Sequence, residues 1–236
     1  VLEGNQALVQ FLIDNGADIN TRDNHGNTCL IDAVLADHQA MVQSFLDKGL
    51  DINARDNYGN TCLFYAAQAD NQAMVQFLID KDADINARDN YGNTCLVYAV
   101  LAGRQAMVQF LIYNGADINT RDNDGNTCLF ILIQKDNTQA MIQFLINKGH
   151  DINARDKDGN TCLFYAALRD KQAMVQFLID NGADINAKNN NGSTYLDLVA
   201  LRKGRGEYAK YKMIKLGTHT FNTIVWLFSS SLENYL

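Results

Sequence analysis

Five cysteines, four histidines and a recurring aspartate are the residues of this 236-residue chain with the chemistry for metal binding, redox work or acid–base catalysis. The cysteines, Cys29, Cys62, Cys95, Cys128 and Cys162, each sit in the string GNTCL, which begins at Gly26, Gly59, Gly92, Gly125 and Gly159. Equivalent positions in stacked copies of one unit lie roughly 10 Å apart, as packed helices do. A disulfide needs Cα atoms within about 7 Å, and zinc ligands must converge on one point, so a ladder of cysteines serves neither. Buried, reduced thiols acting as small hydrophobes are expected. The histidines, His25, His38, His150 and His219, occupy unrelated positions in the copies, and no Ser–His–Asp or Cys–His arrangement arises. Lys203-Gly204-Arg205-Gly206 is too short for a phosphate-binding loop. Asp56, Asp89, Asp122 and Asp156 recur at one loop position, where turn hydrogen bonding is the expected role. The expectation is a chain with no catalytic residue, no metal site and no cofactor.

Composition narrows the classes further. At 47% hydrophobic and 20% charged, the chain is too apolar to be disordered and has ample material for a core. No apolar run approaches the ~18 residues a membrane-spanning helix needs, and the tail run around Ile224 to Phe228 is far too short. No secretory signal is seen, so a cytoplasmic location is expected, or a host cytosol for a secreted effector. Proline is absent. The net charge of −7 argues against a nucleic-acid partner. From Leu201 onward Arg202, Lys203, Arg205, Lys210, Lys212 and Lys215 face only Glu207 and Glu233, a net of +4, which leaves −11 on the first 200 residues.

The elements that position these residues follow from an internal repeat. GNTCL recurs at spacings of 33, 33, 33 and 34, and a degraded copy, GSTYL, follows 33 residues later at Gly192. QAMVQ keeps the same beat at Gln39, Gln72, Gln105 and Gln172, with QAMIQ at Gln139. Asp-Ile-Asn does so at Asp18, Asp51, Asp84, Asp117, Asp151 and Asp184. Within one copy, Thr61 is a suitable N-cap for a short helix through Leu63, Phe64, Ala66 and Ala67. A break at Asp70 and Asn71 leads to a second helix from Ala73 to Ile79, apolar on nearly all sides except Gln76, which must be sandwiched between others. Arg88-Asp89-Asn90-Tyr91-Gly92 then has the chemistry of a tight turn. Neither helix is long enough to stand alone, so the copies must stack.

Those residues resemble the ankyrin-repeat family, whose pattern D-x-x-G-x-T-P-L-H-x-A-A, a second helix and then G-A-D-x-N is matched by Asp56 to Asn86 nearly position for position. The resemblance covers residues 1 to 200 well and 201 to 217 loosely. It implies an all-α solenoid of helix-turn-helix units with protruding β-turn or hairpin loops. About seven units are expected over residues 1–217, the first incomplete and the last degenerate. Residues 218–236 are expected to be a capping helix or the start of a further region. The family's Pro is replaced by the five cysteines, at a cost of about 0.4–1 kcal/mol per repeat. Its His is replaced by Ile31, Phe64, Val97, Phe130 and Phe164, so apolar packing is expected to stand in for that residue's loop hydrogen bonds. The fourth copy's extra residue falls near Asn137 and Thr138, in the turn between helices.

What the resemblance implies is a surface. Ankyrin arrays bind proteins on a concave face made of loop tips and first helices. The matching tips are His25, Tyr58, Tyr91, Asp124, Asp158 and Asn191, and farther along the first helices Gln68, Leu101, Gln134, Lys135, Leu168 and Arg169 vary similarly. Tyr58 and Tyr91 stand out, because tyrosine offers amphipathic area at low entropy cost. Tyr65, Tyr98 and Tyr165 are expected to pack between repeats, and Asn53, Asn86, Asn119, Asn153 and Asn186 to fasten their turns. The basic residues 202–215 read as a solvated cap. The function expected is a non-catalytic, monomeric protein-binding scaffold with a partner of unknown identity. The alternative is the targeting portion of a larger effector enzyme whose catalytic domain lies outside this sequence.

Overall fold

The computed structural model describes residues 6–136 and 138–202. Among them the secondary structure is helical, with no strand; Arg22 and Thr28 form an isolated antiparallel bridge in the first loop. The helices are α1 (Gln6–Asp14), α2 (Cys29–Leu35), α3 (Gln39–Asp47), α4 (Cys62–Gln68), α5 (Gln72–Ile79) and α6 (Cys95–Leu101). They continue as α7 (Gln105–Tyr113), α8 (Cys128–Gln134), α9 (Gln139–Asn147), α10 (Cys162–Leu168), α11 (Gln172–Asp180) and α12 (Tyr195–Arg202). The chain divides into two compact units at Lys157 and Asp158, with α1–α9 in the first and α10–α12 in the second. The basic segment beyond Arg202 and the apolar tail, both singled out in the sequence, lie outside the described residues, as does Asn137.

In the first unit α2 packs on α3 and α4, α4 on α5 and α6, α6 on α7 and α8, and α8 on α9, so that a short helix meets its own long helix and the next short one. The second unit repeats the pattern, α10 packing on α11 and α12. The periodic apolar positions make the core. Leu30, Leu63, Leu96 and Leu129 from the short helices are buried, as are Met74, Val75 and Leu78 of α5 and their counterparts Met107, Val108 and Leu111 of α7. The small Ala66 and Ala67 let α4 approach its neighbours closely, and both are buried.

Helix starts differ from the sequence expectation. Thr28 and Thr161 do cap, accepting from the N–H groups of Ile31 and Phe164. Thr61 has the extended backbone of a cap residue, but its side chain makes no capping bond, and neither do those of Thr94 and Thr127. The last copy instead uses a reciprocal box: the Asp197 carboxylate accepts from Thr194 N–H at 2.8 Å, and Asp197 N–H donates back to the Thr194 hydroxyl at 3.3 Å.

The extra residue of the fourth copy is absorbed in its turn. Elsewhere the residue before the long helix donates its N–H to the short helix, as His38 does to Ala33 and Arg104 to Ala99. In the fourth copy Lys135 leaves the helix extended, and the buried Thr138 hydroxyl donates instead to Leu132 C=O, the counterpart of those alanine carbonyls, at 2.9 Å. A side chain replaces a displaced backbone donor.

Long helices end at a left-handed residue, glycine in most copies (Gly49, Gly115, Gly149 and Gly182) and Asp82 in one, at φ 64°. Its N–H donates to Ile79 C=O and that of Ala83 to Leu78 C=O, a Schellman ending. An L-residue pays for this conformation where glycine does not. Asp82→Gly should therefore raise stability by about 0.5–1 kcal/mol, read as a higher urea midpoint at unchanged slope. An unmoved midpoint would show that Asp82 is not strained.

Candidate functional site

The loop between units is built by its recurring aspartate. Asp56 Oδ1 accepts the N–H groups of Tyr58 and Asn60 at 2.8 and 2.9 Å, and Asp89 does the same for Tyr91 and Asn93. Asp122 repeats the turn with Asp124 and Asn126. At Asp23 burial pushes the carboxyl up, but the N–H groups of Asn27 and His25 outweigh it and hold it below the ordinary value. These carboxylates are turn builders.

The tips are joined one to the next. Asn57 N–H donates to His25 C=O at 3.0 Å, Asn90 to Tyr58 and Asn123 to Tyr91 at 2.9 Å, and Lys157 to Asp124 at 3.0 Å. The Asn90 and Asn123 side chains double this link on the Asn57 and Asn90 carbonyls. Within the second unit Asn190 donates to Asp158 C=O at 2.9 Å, and Asn191 N–H to Asn189 Oδ1. Because the tip carbonyls carry the links, the tip side chains are left to project. Tyr58 is 52% and Tyr91 64% exposed, on adjacent copies, and His25, Asp124, Asp158 and Asn191 are exposed too. The Lys157 ammonium pairs with the Asp124 carboxylate.

The short-helix ends are less uniform than expected. Gln68, Gln134, Lys135, Leu168 and Arg169 are exposed, but Leu101 is only half-buried, and the Lys135 ammonium donates to its carbonyl at the C-terminus of α6. Lys135 thus ties one copy to another. Sequence reasoning missed Leu35, 48% exposed in the same register as Leu101 and Leu168; reading the first copy in that register would have found it. It also missed Tyr113, 90% exposed at the end of α7, where other copies carry Asp47, Asp80 or Asp180.

The polar ties between loop and helix survive the loss of the family's His. Tyr65 donates to Asp56 Oδ2 at 2.5 Å, and Tyr98 to Asp89 Oδ2 at 2.9 Å. Apolar packing alone therefore does not stand in for that residue. The neighbouring tyrosine carries the bond, while Phe64 packs edge-on against Tyr98 with centroids 4.3 Å apart. Burial first, then the accepting carboxylate, pushes both phenols up to about 12. The Asn53, Asn86 and Asn119 side chains also reach beyond their own turns, accepting from Asp84, Asp117 and Asp151 N–H of the next copy.

All five cysteines are free, and four are buried. Cys62 and Cys95 are more than small hydrophobes: their thiols donate to the Ile52 and Ile85 carbonyls at 3.2 and 3.4 Å. Burial pushes Cys62, Cys95 and Cys128 up to about 12. Since the thiolate is the nucleophile, these three should resist a disulfide-exchange reagent at pH 8 in the folded protein, with the half-buried Cys29 labelled first and all five labelled in denaturant. Fast labelling of all five without denaturant would contradict this. Among the described residues no group of His, Cys, Asp or Glu could hold a metal ion, and no helix is long and apolar enough to cross a membrane.

Comparison with known proteins agrees with this architecture. The family model described as ankyrin repeats (3 copies) matches residues 55–122, 107–189 and 129–217, and that for ankyrin repeats (many copies) matches residues 12–66. No curated protein sequence matches the chain. Among solved structures, the ankyrin repeat domain of Bcl-3, described as a unique member of the IkappaB protein family, is similar at a TM-score of 0.72. It is 28% identical, over 84% of this chain and 90% of that one. Helical units on a 33-residue beat, aspartate-built loops and matching family models over most of the length lead to one conclusion: the chain belongs to the ankyrin-repeat family.

Proposed function

We propose that this chain is a non-catalytic binding module that holds a protein partner on the edge formed by its loop tips and short-helix ends, the concave face of ankyrin arrays. Ankyrin repeats are protein–protein interaction modules, which supports the class of partner. The observation that carries the site is the pair Tyr58 and Tyr91, exposed on adjacent tips whose backbones are bonded to each other's loops. Large exposed aromatics at a turn add little to folding and much to an interface. In the first unit His25 and Asp124 on the other tips, with Gln68 and Gln134 on the helix ends, supply the surrounding contacts; Asp158, Asn191, Leu168 and Arg169 stand at the matching positions of the second unit. Five free thiols support work in a reducing compartment such as the cytosol, and the module is proposed to act as a monomer.

The test is the double change Tyr58→Ala and Tyr91→Ala. Truncating an interface anchor costs about 2 kcal/mol or more, around thirtyfold in affinity, while an exposed turn substitution changes stability by about 0.5 kcal/mol. Proteins captured from cytosolic extract by the parent chain should be lost by the variant, with the melting curve nearly unmoved. A sharp fall in melting would make the tyrosines structural. Unchanged capture would move the site to Leu35 and Leu101 of the first unit, or to Leu168 of the second.

A further inference from the structure

One feature of the loops is not used by the tips. Arg22, Arg55, Arg88 and Arg121 stand at one position in successive copies, all in the first unit and all exposed. Each guanidinium donates to the backbone carbonyl of the next arginine in the row: Arg22 to Arg55, Arg55 to Arg88 at 2.7 Å, Arg88 to Arg121 at 2.5 Å, and Arg121 to Arg155. Arg22, Arg88 and Arg121 also hold the carbonyls of Gly26, Gly92 and Gly125 in their own loops. The side chains are thus fixed in position before any partner arrives. A guanidinium has five N–H donors, so each of the four keeps at least three uncommitted.

Among the described residues no carboxylate forms an ion pair with any of these four arginines. The nearby acidic groups are turned to other work. Asp56 and Asp89 are buried and hold the turn N–H groups and a tyrosine hydroxyl. The exposed Asp51, Asp84 and Asp117 each accept the N–H of the asparagine two residues on. A row of pre-positioned, unpaired guanidinium groups therefore runs along an otherwise acidic molecule, and its chemical complement is a row of carboxylates.

The spacing specifies the partner further. Stacked repeats place equivalent groups roughly 10 Å apart. A polyproline II segment turns once every three residues with about 3.1 Å rise per residue, so side chains at every third position share a face at about 9 Å intervals. A β-strand does not do this, because positions three apart point to opposite faces. Duplex DNA presents a charge every ~1.7 Å and one of its strands every ~3.4 Å, both far closer than the arginines, and either meets repulsion from the acidic body. We propose that the arginine row receives an extended, polyproline II segment of the partner protein carrying a carboxylate at every third residue. The inference rests on the protein-binding reading above and names the chemistry of what is bound.

The experiment titrates the whole chain with three labelled twelve-residue peptides and follows anisotropy. One is four repeats of Glu-Pro-Pro, the second has the same composition with the glutamates contiguous, and the third has glutamine for glutamate. Exposed ion pairs are each worth a factor of roughly two to five, so the spaced peptide should bind about tenfold or more tighter than either control. Its affinity should fall steeply between 0.05 and 0.5 M salt, as the screening length shortens from ~14 to ~4 Å. Arg55→Gln with Arg88→Gln should weaken it about tenfold. If that variant fails to fold, the peptide comparison still decides on the unaltered protein. Equal affinity for spaced and contiguous glutamates, or tighter binding of a thymidine dodecanucleotide, would overturn the inference. Absence of peptide binding, with capture still lost on changing Tyr58 and Tyr91, would overturn it while leaving the protein-binding reading in place.

Discussion

Gly59→Ala should lower the stability of the array by about 3 kcal/mol, and Gly192→Ala, the equivalent change in the last copy, by only about 1 kcal/mol. Both glycines have left-handed backbones, at φ 86° and 77°, so a Cβ strains both alike. They differ in what the Cβ would meet. At Gly59 it would stand 2.6 Å from the Asn90 backbone nitrogen, which donates to Tyr58 C=O. At Gly192 nothing among the described residues lies within 4 Å. The clash at Gly59 is with backbone and cannot be relieved by a rotamer, so the loop-to-loop bond must stretch or break, adding an overpacking term of about 1–3 kcal/mol. Urea unfolding of the two variants measures the difference. Equal losses would mean that the close approach of adjacent tips carries no weight. Because the same bond holds Tyr58 in place, Gly59→Ala should also weaken partner capture.

That comparison marks the boundary of what sequence can show. A glycine in Asn-Tyr-Gly-Asn-Thr announces a turn, and the 33-residue beat announces stacking, so helices, loops and order of elements were legible. The reason glycine is needed is a contact with another copy, and no local pattern contains it. Polar ties show the same limit. Tyr65 reads from the sequence as packing between repeats, yet its hydroxyl reaches Asp56, nine residues back. Thr61 had the right type for a cap and the right backbone, but its hydroxyl makes no capping bond. In the candidate site the tips were legible because they vary where glycine and threonine around them do not. Leu35 was not, since one exposed leucine in an apolar helix carries no signal until the copies are aligned. The arginine row recurs as plainly as the aspartates, but only the carbonyl bonds show its guanidinium groups to be fixed and unpaired.

His150 should make the array lose about 3 kcal/mol of stability as pH falls from 6.5 to 4, and His150→Ala should abolish that part of the loss. The side chain is 4% exposed, at the position where Ala83, Ala116 and Ala183 are buried in other copies. Its Nδ1 lies 3.1 Å from the Asp151 carbonyl, and Nε2 is buried with no hydrogen-bond partner among the described residues. Burial is the largest influence and drives its pKa from 6.5 down to about 4; the Asp151 carbonyl and the Asp151 and Asp117 charges favour the imidazolium, and Arg121 opposes it. The sign follows from which state holds the proton. Between pH 6.5 and 4 the unfolded chain is protonated at this site and the folded chain is not, so acid drains stability throughout that window and the full value stands only above it. Carboxylates begin to titrate at its lower end, which is why the measurement is the difference between parent and variant. At neutral pH the two should lie close together, since alanine removes an unsatisfied buried nitrogen, worth about 1–3 kcal/mol, but leaves a cavity of comparable cost. Urea midpoints at half-unit steps of pH should therefore diverge from the neutral value downward, the variant becoming the more stable chain in acid. Two parallel curves would show that His150 takes up its proton in the folded state as readily as in the unfolded one.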